Sequence, residues 1–299
     1  MKHPSRFAVW FSAALGFALA LVLAGCNTAP VVATAAQPVP AVAPARMAAP
    51  VAAPAPAPLV AAPSAPAPAM EAPAVVRPNT AYLPVPQRLE DRLPQNAVNG
   101  FNTRHQRYVE RAKQGDIDLL FLGDSITQNW GGVGKDVWTQ YYGEMQSAAF
   151  GIGYDRTQHL LWRLQNGEGE GFSPKAVVIM IGTNNIGLNT PPEIAVGIGA
   201  IVHEVRARFT NAKILLLGIF PRDLKDSRNR RLVAETNRLI APLHDGQHVF
   251  YLDLADKFID AEGNIPAALI ANNPPLHPTA AGHAVWAEAI KEPLANLMK

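Results

Sequence analysis

The stretch IDLLFLGDSIT, residues 117–127, is a continuous apolar run that stops at Gly123-Asp124-Ser125. A short apolar run bounded by turn residues reads as a strand buried on both faces. Four more runs share this character, at 146–152, 175–182, 213–219 and 248–254, each rich in Val, Ile, Leu or aromatic residues. Between them, 99–115, 192–210 and 227–243 carry apolar residues at helical spacing, and 280–297 closes the chain as a last helix. Alternating strands and helices predict an α/β domain: a five-stranded parallel sheet covered by helices on both faces, three layers in all. Ligands in such folds lie beyond the carboxyl ends of the strands. Ser125 falls there, at a strand-to-helix turn.

The rest of the 299 residues divides into unlike parts. Lys2, His3 and Arg6 precede an apolar run from Phe7 to Ala20, the pattern of an export signal over 1–25; a plain transmembrane anchor is the alternative. The run ends in LAGC, residues 23–26, which resembles the lipobox of bacterial lipoproteins. That resemblance implies cleavage before Cys26, acylation of its thiol and amine, and a protein held to the lipid bilayer. Asn27, rather than Asp, then favours the outer membrane of the cell envelope, facing the periplasm. From 26 to 88 the chain is mostly Ala, Pro and Val, holds about half of the 27 prolines and carries almost no charge. Proline removes backbone donors and fixes φ, so this segment is expected to be a disordered, polyproline-like tether, a spacer rather than a ligand-binding element. The folded domain is expected over 89–299. Cys26 is the only cysteine, which excludes an intramolecular disulfide and a cysteine-based zinc cluster. A scattered net charge of +2 gives no basic stripe for nucleic acid.

Taken alone, Ser125 reads equally well as a helix N-cap. However, GDSIT is followed in order by FGIGYDRT (150–157), VVIMIGTNN (177–185) and LHPTAAGH (276–283). These four blocks resemble those of the GDSL or SGNH hydrolases, and FGIGYDRTQHLLWRLQNGE with IGTNN is most similar to the platelet-activating-factor acetylhydrolase-like members. The resemblance spans about residues 98–297. It implies a flavodoxin-like SGNH fold and a serine esterase without metal or cofactor. It also implies Ser125 as nucleophile, His277 as general base, and an oxyanion hole from the Ser125 N–H, the Asn184 amide and a backbone N–H at Tyr154 or Gly153. By residue type alone, Asn184 is a turn residue and His277 a surface histidine.

Two departures from that pattern bear on activity. The family's glycine before Asp155 is here Tyr154, and tyrosine reaches positive φ only at a cost, so Gly153 is a candidate to share the donor role. The family's aspartate three residues before the histidine is here Pro274. Loss of a triad carboxylate at fixed geometry costs about 10⁴ in turnover through the wrong imidazole tautomer. A backbone carbonyl, the amides of Asn272 or Asn273, or the carboxylates of Asp253, Asp256 or Asp260 are the candidate replacements, with Asp253 the expected cap of its own turn. Bulky residues at Ile126 and Leu276, by resemblance, shorten an acyl pocket to acetyl size. His159, Trp162 and Arg163 are expected in helix packing and subunit contacts, the relatives often pairing as homodimers.

The expected function is therefore hydrolysis of short-chain, chiefly acetyl, esters of a small-molecule or glycan substrate at the envelope. The competing reading is a non-catalytic binding or scaffolding lipoprotein on a degenerate hydrolase domain.

Overall fold

A computed structural model describes residues 78–299; the expected signal segment, Cys26 and most of the tether lie outside the described residues. Five strands form one sheet: β1 (Leu119–Gly123), β2 (Ser147–Gly151), β3 (Ala176–Met180), β4 (Lys213–Leu217) and β5 (Val249–Leu252). Their order is β2-β1-β3-β4-β5, and every pairing is parallel. This is the doubly wound order that reverses direction beside β1, and the crevice at such a reversal is where ligands bind. Each strand lies within a predicted apolar run.

Side chains alternate across the sheet as the pleat requires. Leu120, Leu122, Val177, Ile179, Ile214 and Leu216 enter one core with Leu160, Ile194, Ile198, Ile201 and Val233. Leu119, Phe121, Val178, Met180, Leu215 and Leu217 enter the other with Trp130, Tyr142, Trp286, Ile290 and Leu294. Helices α1 (Gln95–Lys113), α2 (Ser125–Gln128), α3 (Lys135–Tyr142), α4 (Thr157–Arg163), α5 (Pro191–Arg208), α6 (Arg228–Ile240) and α7 (Ala280–Leu297) complete the layers. α5 starts at a capping box, Thr190 with Glu193 behind Pro191, and Ser227 and Thr279 cap α6 and α7. A small antiparallel hairpin, β6 (Ile270–Ala271) with β7 (His277–Pro278), precedes α7.

The boundary expected at residue 88 is corrected. Ala81 is fully buried, its carbonyl accepts from Thr157 Oγ1 at 2.6 Å, and the Val85 N–H donates to Gln158 O at 3.3 Å. Gln87 is buried as well. Composition placed the end of the Pro-rich segment too late because Pro84 and Pro86 occur within a strap that packs rather than within the tether.

Where β2 ends, the backbone of α2 presses on the strand. A Cβ at Gly151 would lie 2.2 Å from Gln128 N and 2.7 Å from Asp124 O, both backbone atoms that cannot turn aside. Gly151→Ala is therefore expected to cost about 2–3 kcal/mol and to lower Tm by roughly 5–10 °C in thermal unfolding; an unchanged Tm would show that the α2 contact yields freely.

Candidate active site

β1 delivers its chain to α2 through Asp124. The Asp124 carboxylate accepts from the Ile126 N–H at 2.9 Å and so caps the helix. Asp124, not Ser125, is therefore the helix cap. Burial pushes the Asp124 carboxyl up to about 7. Ser125 Oγ lies 2.9 Å from His277 Nε2, and the two residues are 152 positions apart.

The hairpin carries His277 on β7 and sets its second nitrogen against a partner. His277 Nδ1 lies 3.1 Å from Asn272 Oδ1, which also faces the His277 backbone N–H at 3.4 Å. Since Oδ1 only accepts, this pairing selects the Nδ1–H tautomer and leaves the Nε2 lone pair facing serine. Asn272 has φ +83°, a left-handed conformation that asparagine tolerates. Asn273 is exposed and makes no bond to the ring. Asp253 instead accepts from Asn237, Tyr251 OH and the Ala255 N–H, and Asp260 caps its own turn through the N–H groups of Glu262 and Asn264. No carboxylate among the described residues bonds His277.

Around the serine, residues 152–155 form a turn closed by Asp155 N–H to Ile152 O at 3.2 Å. Tyr154 takes φ +65° there, where glycine is ordinarily favoured. Its N–H meets no acceptor among the described residues. The expectation that Gly153 shares this role is corrected, because its N–H already donates to Gln128 Oε1 at 2.9 Å. Asn184 donates one amide N–H to Asp155 O at 2.9 Å, and the other remains for a ligand.

Arg163, fully buried, supports the turn. Its Nε donates to Asp155 Oδ2 at 2.8 Å, one terminal nitrogen bonds Glu168, and the other reaches Phe150 O at 3.1 Å and Gly123 O at 3.2 Å. Burial pushes the Asp155 carboxyl up, while Arg163, His159 and Gln87 oppose the rise. Gln87, which the sequence reading missed, donates to both Gly153 O and Asp155 Oδ1 at 2.8 Å. The subunit-contact role expected for His159 and Arg163 is corrected, since neither exposes any surface; Trp162 packs on Phe101 and His105. Ile126 is also corrected as an acyl-pocket residue: at 1% exposure it belongs to the core around Trp130. Leu276 is half-buried beside His277. Among the described residues no three His, Cys, Asp or Glu side chains gather as metal ligands.

A serine hydroxyl facing an imidazole with a fixed tautomer, at the sheet's reversal point and beside free N–H donors, is chemistry for acyl transfer. The chain belongs to the GDSL-like lipase/acylhydrolase family, whose model matches residues 121–285, and it is a hydrolase of the esterase class. It is 35% identical over 198 residues to human platelet-activating factor acetylhydrolase IB subunit alpha2, covering 66% of this chain and 84% of that one. It is 36% identical over 162 residues to the human alpha1 subunit, covering 54% and 69%. Its fold is similar to that of a Streptococcus pneumonia protein described as a platelet activating factor, with TM-score 0.56 at 20% identity over 69% of this chain and 96% of the other.

Burial first, and the Arg222 guanidinium second, hold the His277 pKa below its ordinary 6.5. A base must be neutral, so turnover that uses His277 falls as pH drops through this pKa. Arg222→Gln removes a positive neighbour, raises the pKa and is expected to move the acid limb of kcat/KM to higher pH. A limb that stays put or moves down would exclude Arg222 as a determinant.

Proposed function

We propose that the protein is a serine esterase that removes short acyl groups, chiefly acetyl, from a carbohydrate O-ester at the cell envelope, held there by acylated Cys26. The observation that carries the reading is the hydrogen-bond chain Ser125 Oγ, His277 Nε2, His277 Nδ1, Asn272 Oδ1. His277 takes the Ser125 proton as Oγ attacks the ester carbonyl. The oxyanion receives the N–H groups of Ser125 and Tyr154 and the free amide N–H of Asn184. Collapse expels the alcohol, which takes the proton from His277 and leaves an acyl-serine. Water, deprotonated by the same imidazole, then releases the acid. An amide can orient a catalytic histidine as a carboxylate does, though it adds no negative charge beside the imidazolium.

Acetyl as the acyl group is supported by the acetylhydrolase relatives and by Leu276 beside the base. The envelope location is supported by the LAGC sequence ahead of the Pro/Ala-rich tether. Retention of a complete serine–histidine–amide chain argues against the non-catalytic scaffold, which needs none of it.

The test is a p-nitrophenyl ester series from acetate to long-chain acids. Acetate is expected to turn over fastest, Ser125→Ala to abolish turnover, and Asn184→Ala to lower it about 10²- to 10³-fold. Asn272→Ala is expected to lose roughly 10²-fold, whereas Asn273→Ala keeps wild-type rates. Equal turnover by wild type and Ser125→Ala would reject the reading outright.

A further inference from the structure

Tyr154 holds a positive φ that costs a non-glycine residue on the order of 1–3 kcal/mol, yet its ring is half exposed rather than packed. Strain kept without a packing return points to a use for the side chain. The ring borders a recess of about 200 Å³ between the catalytic turn and α1. A second recess of about 260 Å³ shares Arg104 and Gln128 with the first and extends to Arg107 and Asn129. Gly153, which lines the first recess, is a neighbour of Ser125: a Cβ built on it would lie 3.9 Å from Ser125 Cβ.

Two further features mark this surface. No Asp or Glu lines either recess, and neither Arg104 nor Arg107 forms an ion pair among the described residues. Gly100 sits inside α1, where glycine weakens a helix, and an added Cβ would meet nothing within 4 Å. Packing does not require a glycine there; open space in front of it is what the residue preserves.

We propose that this recess binds the alcohol portion of the ester and is built for an acetylated acidic sugar. Tyr154 supplies an aromatic face, Arg104 and Arg107 receive the sugar's carboxylate, and Gly100 leaves room for the ring. Aromatic faces suit the apolar side of a pyranose, and guanidinium pairs with carboxylate through directed, charge-assisted hydrogen bonds. The assignment rests on the esterase reading and adds the class of its alcohol.

The experiment compares acetate release by the full-length protein from an acetylated methyl glucuronoside and an acetylated methyl glucoside, with p-nitrophenyl acetate as reference. Wild type is expected to favour the glucuronoside about tenfold or more in kcat/KM, and the preference to shrink as salt rises. Arg104→Gln with Arg107→Gln is expected to bring the ratio near one. Gly100→Leu is expected to weaken both glycosides at an unchanged or raised Tm, which a structural role for Gly100 would not give. Equal rates on the two glycosides, with p-nitrophenyl acetate turned over, would overturn the inference and leave the esterase reading intact. A preference for an acetylated glycerophospholipid over both sugars would overturn it in favour of a lipid alcohol. If p-nitrophenyl acetate is not hydrolysed, the esterase reading fails, and calorimetric binding of the glucuronoside to wild type and to the double arginine variant decides the subsite by itself.

Discussion

One buried guanidinium organises the catalytic end of the sheet. Arg163 reaches the carbonyls of Gly123, the last residue of β1, and Phe150, the last but one of β2, and holds the carboxylates of Asp155 and Glu168. A buried cation is tolerated only where its donors are met, so the positions of both strand ends and of the turn are coupled through a single side chain. Asp155 then passes that constraint on. Its carbonyl accepts from Asn184 and its carboxylate from Gln87. The Tyr154 turn and the Asn184 loop, proposed to supply the oxyanion donors, thus share one support, fixed before any substrate arrives, which is the condition under which such donors stabilise a developing charge.

His277, the proposed base, stands on a different footing. His277 and its orienting group lie five residues apart on one hairpin, so their mutual geometry is local, while their placement over Ser125 depends on how the hairpin docks. Asp223 supplies one tie, donating its N–H to Pro275 O, and Arg222 beside it bonds Thr183 in the strand-end loop that carries Asn184. The same arginine is a positive charge near the imidazole. Arg222 is paired with Asp223 Oδ2 at 3.2 Å, but the ring itself has an amide rather than a carboxylate behind it, and burial first and Arg222 second disfavour the imidazolium. The site keeps its histidine neutral over a wider pH range and accepts a weaker base in return.

Much of this was legible in the sequence because it is encoded locally. Buried parallel strands need apolar runs on both faces, and all five were readable as such; the ordered blocks after them located Ser125, Asn184 and His277. What escaped depended on contacts between distant segments. Gln87 lies in a strap whose prolines resemble the tether before it, and only the packing of Ala81 and Gln87 on the catalytic turn separates the two. The missing aspartate left a backbone carbonyl, Asn272, Asn273 and three aspartates as candidates, with Asn273 next to the vacated position. The hairpin brings Asn272 to the ring, since Ala271 pairs with His277 and turns the next side chain toward it. Ile126 follows Ser125 in sequence, but on a helix the next side chain points a different way, here into the core.

Tyr154 draws these threads together. A tyrosine with φ +65° persists only where its surroundings determine the backbone more strongly than its own preference does. Here the residue before it is pinned in both of its flanking peptide units, by Gln128 at the N–H and by Gln87 at the carbonyl, and the residue after it is held by Ile152 and Arg163. The conformation a glycine would supply through its own freedom is imposed from outside. That frees position 154 to carry a side chain, and the backbone that leaves the Tyr154 N–H without an acceptor among the described residues also sets an aromatic ring at the edge of the recess. The proposed oxyanion donor and the proposed sugar contact therefore fall on one residue, at the expense of strain that the buried network absorbs.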